Sequence, residues 1–274
     1  LISSALLSYQ LLPGLDIKAN LGYTSLTSDE WELRPSVGNA PELRPFTERI
    51  SIFGNADSRS WIAEPQLVYK MNLGKARLEL LAGATFQEIS TNAQQEVAIG
   101  FNNDLVMKDI RAATSTFYAE NLITEYKYSA LFGRINFNWN YKYIVNVTGR
   151  RDGSTRFGDE NRFHNFGSVG GAWIFSNERI FEKINHVFSY GKVRASYGTT
   201  GNDQIGDYQF MPLYNVVTTD VPYQHATGLL PAGLANPYLQ WEETKKLQFG
   251  LDLGFWGDRL LINAGYYHNR SSNQ

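Results

Sequence analysis

The residues most able to do chemistry are few, and their spacing works against it. Asp152-Gly153-Ser154-Thr155-Arg156-Phe157-Gly158-Asp159-Glu160 has the acidic ends of a calcium loop. Such a loop needs an oxygen ligand at its fifth position and a glycine at its sixth, where Arg156 and Phe157 stand. The segment therefore reads as a structural loop. The histidines, His164, His186, His225 and His268, are scattered, and there is no cysteine. No zinc site, disulfide framework or other cofactor is expected. Glu242 and Glu243 are adjacent, so on a strand they would point to opposite faces and could not act as a paired acid and base. No serine stands in a nucleophile-elbow context. Gly167, Gly170 and Gly171 are not followed by a helix pattern, so they are no dinucleotide fingerprint. Asn146-Val147-Thr148 matches a glycosylation acceptor, but inside a strand pattern. These residues do not point to an enzyme.

A second polar set is regular. Arg134, Asn136 and Asn138 alternate with Gly133, Ile135 and Phe137, and Asn146, Thr148 and Arg150 alternate with Val145, Val147 and Gly149. Lys192, Arg194, Asp252 and Asn263 stand in the same relation to Val193, Leu251, Leu253 and Ile262. Groups spaced by two residues line one face of a strand. This is a hydrogen-bonding surface: the watery outside of a soluble sandwich, or the wall of a barrel lumen where it could contact a plug or a polar solute.

The elements that must carry this face are strands. Ala5, Leu7, Tyr9 and Leu11, then Leu15, Ile17, Ala19, Leu21 and Tyr23, form two alternating runs joined at Pro13-Gly14, a turn pair. The unit recurs from Trp61 to Tyr69 and from Leu78 to Phe86, from Leu131 to Trp139 and from Tyr143 to Gly149. It recurs again from Val169 to Phe175, from Val193 to Tyr197, from Leu247 to Phe255 and from Leu260 to Tyr266. About ten strands result, many of about 10 residues, enough to cross a bilayer when tilted. Short turns fall near 13–14, 72–75, 140–142 and 256–259; long polar segments fall at 30–57, 91–124 and 200–240, with a shorter one at 153–162. Residues 176–189 interrupt the short-turn side with the pattern of a small helix, Asn177 as its cap and Ile180, Phe181, Ile184 and Phe188 on one face.

Composition agrees. The 274 residues carry 25 Lys+Arg against 27 Asp+Glu, a balance that excludes a broadly cationic nucleic-acid binder. Aromatics make up 14% of the chain, beside 24 glycines, which suits a large β-protein. No run approaches the ~18 apolar residues of a membrane helix, and a mean hydropathy of -0.33 is uninformative for strands that hide their apolar face in alternation. Tyr9, Tyr23, Tyr69, Phe86, Trp139, Tyr143, Trp173, Phe255 and Trp256 cluster at strand ends, where membrane girdles put aromatics. The pattern favours an antiparallel transmembrane β-barrel over a soluble β-sandwich, whose strands are usually ~5–6 residues.

From about residue 128 the chain resembles a known family. The residues that carry the likeness are Phe132-Gly133-Arg134-Ile135-Asn136-Phe137, Tyr141-Lys142-Tyr143, Arg150-Arg151-Asp152-Gly153-Ser154-Thr155-Arg156-Phe157-Gly158, Gly167-Ser168-Val169 with Trp173, and Lys192-Val193-Arg194-Ala195-Ser196-Tyr197-Gly198. Gly201-Asn202, Ile205-Gly206 with Tyr208, and Asn236-Pro237-Tyr238-Leu239 before Trp241-Glu242 and Thr244 follow in order. This is similar to the barrel of SusC/RagA-type TonB-linked outer membrane proteins of Bacteroidetes. The resemblance implies an all-β fold, residues 1–274 being part of one barrel of about 22 strands, with the plug and the remaining strands outside it. It implies an internal slice of the barrel, both ends on the long-loop side. It also implies location in the outer membrane among lipid, and import of large nutrients such as oligosaccharides or peptides. Energy would come from TonB through an N-terminal part, and the surface partner would be a SusD-like lipoprotein. A soluble glycan-binding sandwich and a passive porin are the other readings. On the barrel reading Arg134 and Arg150 need acceptors. Asp152 and Asp252 are the nearest by pattern, and the plug or other strands are expected to supply the rest.

Overall fold

The computed structural model describes residues 1–184, 186–217 and 228–273. His225 and the middle of segment 200–240 lie outside the described residues. Among the described residues twelve strands run in chain order: β1 (Ile2–Leu12), β2 (Leu15–Arg34), β3 (Ile50–Leu73), β4 (Ala76–Ile99), β5 (Ser115–Trp139), β6 (Tyr143–Ser154), β7 (Phe163–Trp173), β8 (Phe188–Asn202), β9 (Tyr214–Val217), β10 (Gly228–Pro231), β11 (Glu242–Phe255) and β12 (Leu260–Ser272). Ten form one sheet in the order β1-β2-β3-β4-β5-β6-β7-β8-β11-β12, and β9 pairs with β10 in a separate two-stranded sheet. Pairing is antiparallel wherever register is defined, from β5 to β8 and on through β11 to β12.

The expected hairpin turns all form. At Pro13-Gly14 the requirement for glycine is physical. Its φ is +84°, and a Cβ there would run into the Lys70 carbonyl of the neighbouring strand. The Gly14 carbonyl in turn accepts the Lys70 N–H at 2.7 Å.

Two expectations change. Segments 30–57 and 91–124 are not mainly loop: β2 continues to Arg34, β3 starts at Ile50, β4 reaches Ile99 and β5 starts at Ser115. Strands β3, β4 and β5 are 24, 24 and 25 residues long, about twice the membrane crossing length. Their ends are rich in Ser, Thr, Asn and Gln, so apolar alternation stops while backbone pairing goes on. The segment after β7 is not an α-helix either. It makes two 3₁₀ turns, Phe175–Asn177 and Arg179–Ile184. Asn177 is not an N-cap; its side-chain amide donates to the Tyr141 carbonyl at 2.9 Å. Phe181 packs against Phe175 while Ile180 is 78% exposed, so they do not share a face.

The chain forms two compact units. Leu1–Ala5, Leu21–Ile62 and Gln87–Tyr126 make the first, whose core is Ala98, Phe101 and Met107 with Leu33, Phe53 and Ile110 around it. Buried Ser51 donates from Oγ to the Met107 carbonyl at 2.7 Å. Arg49 Nε donates to Asp104 Oδ1 at 2.6 Å, and Ser36 donates to the same carboxylate from N–H and Oγ. The second unit is Leu6–Asn20, Ala63–Phe86 and Lys127–Gln274. Its core is Phe157, Phe166 and Trp241, with Tyr128, Ile205 and Leu239 against them.

Candidate functional site

All ten polar residues singled out in the sequence fall on one face of the second unit's sheet. Register places them in rows across the strands. One row runs Arg134, Thr148, Ser168, Gly198, Lys246, Asn269; the next runs Asn136, Asn146, Gly170, Ser196, Gln248, Tyr267. Asn138, Ile144, Ala172, Arg194, Gly250 and Gly265 make the third, and Lys192, Asp252 and Asn263 the fourth. Antiparallel pairing conserves side-chain parity, so one correct strand face fixes all its neighbours.

Within this face the polar groups bond one another. Asn136 Nδ2 donates to Asn146 Oδ1 at 2.6 Å, and Thr148 Oγ1 lies 2.6 Å from Ser168 Oγ. Arg134 Nη2 donates to Glu79 Oε1 of β4 at 2.7 Å. Arg150 donates to Asp152 Oδ1 at 2.8 Å and to the Tyr128 hydroxyl at 2.6 Å. Acceptors beyond Asp152 and Asp252 are expected from the plug or from other strands; each of the two arginines has an acceptor within this sheet, and Asp252 faces Arg194 instead. Asp152 was named by pattern; Glu79 and Tyr128 were not, because strand neighbours are set by register. Asn138 turns to the hairpin, accepting the Tyr141 N–H at 3.0 Å. Arg194 Nε stands 3.5 Å from Asp252 and lies over Gly250, where any Cβ would meet its side chain. Lys192 and Asn263 flank Asp252 in register. A shallow groove of about 500 Å³ opens between Arg134, Thr148, Arg150, Ser168, Thr200, Lys246 and Gln248.

The calcium-like segment is a packing knot beside this face. Phe157 is wholly buried, 5.1 Å from the Trp241 ring, and Trp241 Nε1 donates to the Arg162 carbonyl at 3.2 Å. Asp152 and Ser154 are buried, and Arg156 donates to Asp207 at 2.8 Å and to the Asp203 carbonyl. Two of the segment's three carboxylates are ion-paired, Asp152 with Arg150 and Asp159 with Arg162. Glu243 faces His164 at 3.2 Å while Glu242 accepts from Asn202 at 2.9 Å, so the two adjacent acids have separate partners.

The opposite face is apolar. Trp139, Tyr143, Trp173, Val193, Leu251 and Ala264 form one row, and Phe137, Val145, Gly171, Ala195, Phe249 and Tyr266 the next. Phe249 is 49% exposed and Val169 51%. Large, contiguous apolar exposure needs a non-aqueous neighbour. A sandwich would supply a second sheet, yet among the described residues the second sheet is the short β9–β10 pair.

Comparison with known proteins gives a consistent set. The family profile described as "TonB dependent receptor-like, beta-barrel" matches residues 3–274. TonB-dependent receptor P3 of Formosa agariphila is 28% identical over 261 residues, 95% of this chain and 26% of its own length. TonB-dependent receptor SusC of Bacteroides thetaiotaomicron is 29% identical over 210 residues, 75% of this chain and 20% of its own. The solved RagAB peptide transporter superposes with a TM-score of 0.85 at 25% identity, covering 98% of this chain and 29% of that one. The chain thus spans about a quarter of the length of the curated relatives it matches.

Proposed function

The chain belongs to the TonB dependent receptor-like, beta-barrel family, and from that premise we propose that it forms a sector of an outer-membrane importer driven by TonB. The family is one of transporters, not enzymes, and its SusC and RagA members sit in the outer membrane. The observation that carries the reading is the two-faced sheet. In a barrel wall the apolar face meets lipid and the polar face meets the lumen. Arg134, Asn136, Asn138, Asn146, Thr148, Arg150, Lys192, Arg194, Asp252 and Asn263 then line the lumen. Their mutual hydrogen bonds keep the wall in shape and hold guanidiniums and amides ready for a plug or a passing solute. The plug and the strands that complete the barrel belong to the longer protein, as does the segment that contacts TonB.

The cargo is a large polar nutrient. The resemblance leaves oligosaccharides and peptides open, and the RagAB structure, named for a peptide transporter, favours peptides. An amide-rich wall suits either, because both present dense donors and acceptors. A SusD-like lipoprotein is the surface partner. A passive porin would need no energy source, which sets the test. Cells expressing the full-length receptor take up labelled oligopeptides or oligosaccharides only with TonB intact. Uptake that survives loss of TonB at full rate would refute active import and leave the porin.

A further inference from the structure

The segment joining β7 to β8 does not close over the polar face. It folds the other way. The rings of Phe175 and Phe188 lie over Gly191, where a Cβ would meet both. Gly191 pairs with Leu253 and shares its strand face with Val193, Ala195 and Tyr197, the apolar face. Phe181 packs with tilted rings against Phe175 and Phe188 at 5.4 and 5.6 Å, and Phe255 meets Phe188 edge-on at 5.4 Å. The segment is clipped at both ends: the Lys142 carbonyl accepts the Ile174 N–H, and the Val187 carbonyl accepts the Trp256 N–H, each at 2.8 Å.

Its polar groups mark a depth. The Glu178 carboxylate accepts from the Tyr143 hydroxyl and Lys142 Nζ, each at 2.8 Å, with Trp173 Nε1 at 3.5 Å. Tyr143 and Trp173 are girdle residues by position, and aromatic rings of this kind hold their polar atoms at the membrane–water boundary. Beyond them Ile180 is 78% exposed, Ile184 45% and Val187 40%, beside exposed Arg179 and Lys183.

Resting on the reading that the apolar face meets lipid, we propose that residues 175–184 with 186–188 are an interfacial anchor. The aromatic side is packed on the barrel wall. Ile180, Ile184 and Val187 insert among the acyl chains at the short-turn edge of the membrane, and Arg179 and Lys183 lie in the phosphate layer. The occupant is the phospholipid surface. Continuity with the apolar rows and the match of apolar tips to flanking cations argue for it. A turn that served only to link two strands would need neither the exposed isoleucines nor the outward fold.

The test uses nitroxide labels on single cysteines in the full-length receptor, in vesicles of phosphatidylethanolamine and phosphatidylglycerol. Labels go at Ile180→Cys, at Leu251→Cys on the apolar face, and at Lys75→Cys in the β3–β4 turn. Accessibility to oxygen is compared with that to a water-soluble nickel chelate. The expected ratio at 180 is several-fold that at 75 and close to that at 251. A ratio at 180 equal to that at 75, with 251 high, overturns the anchor and leaves the lipid-facing assignment standing. A low ratio at 251 overturns that assignment, and the anchor with it. Ile184→Cys repeats the reading should the Ile180 variant not fold.

Discussion

Leu251→Arg should be among the most damaging single changes on the apolar face, and its cost should follow depth. β11 runs from Phe255 at the turn back towards Glu242. A strand rises ~3.4 Å per residue and a barrel strand tilts ~40°, so each residue climbs ~2.6 Å along the membrane normal. With Phe255 at the turn-side boundary of an apolar band ~25 Å tall, the midplane falls about five residues away, between Leu251 and Phe249. Leu247 lies ~21 Å up, near the far boundary. Its row partners Tyr197 and His268 carry the polar groups expected there. Arginine at 251 should therefore cost ~2–4 kcal/mol and at 247 only ~0–1 kcal/mol. Gln248→Arg, on the polar face, should cost little. Gly250 is the wrong control, because any side chain there collides with Arg194. The assay is urea-dependent folding of the full-length receptor into lipid vesicles, read by the mobility of unheated protein on gels. Equal losses at 247, 248 and 251 would refute the two-faced assignment.

Three further outcomes follow from particular contacts. Phe157→Ala empties a wholly buried site and should cost ~3–5 kcal/mol, seen as new protease cleavage within 155–162 while the strands stay folded. Arg49's hydrogen bond, helped by Ser36, holds the Asp104 carboxyl below the ordinary carboxylate range. The contact's stabilisation is then complete above that range and lost as pH falls through and below it, so proteolysis of 100–114 should rise on acidification, and Asp104→Asn should abolish that pH dependence. Residues 1–274 expressed alone without detergent should aggregate, since β1 and β12 are edge strands and one face is apolar; a monodisperse monomer with cooperative unfolding would contradict this.

Much of this was legible in the sequence, for physical reasons. The period-two pattern from Leu131 to Tyr266 marks a sheet with two unlike faces, and Pro13-Gly14 marks its first turn. All ten polar residues picked by alternation share a face, since parity alone decides that. Three things were not legible. Strand ends beyond Tyr23 and Phe86 are mostly polar, with apolar residues such as Leu26, Trp31 and Ile89 too sparse to keep a period of two, so their pattern does not separate paired backbone from loop. Partner choice depends on register: Glu79 lies 55 residues from Arg134, and no local signal joins them. The 3₁₀ segment resembles a helix in sequence because Ile180, Phe181 and Ile184 fit helical spacing, whereas the pull of Phe175 and Phe188 over Gly191 is tertiary.

The most direct test of the central claim is a cysteine scan along β11 in the full-length receptor, in native outer membranes. Lys246, Gln248 and Asp252 on one side, and Leu247, Phe249, Leu251 and Leu253 on the other, are replaced singly and exposed to a membrane-impermeant maleimide and to a lipid-soluble one. A lumen-lining strand gives a period of two, the even positions reacting with the water-soluble reagent and the odd ones only with the lipid-soluble reagent. Odd positions that react with the water-soluble maleimide as fast as the even ones would contradict a barrel wall with lipid on its apolar face.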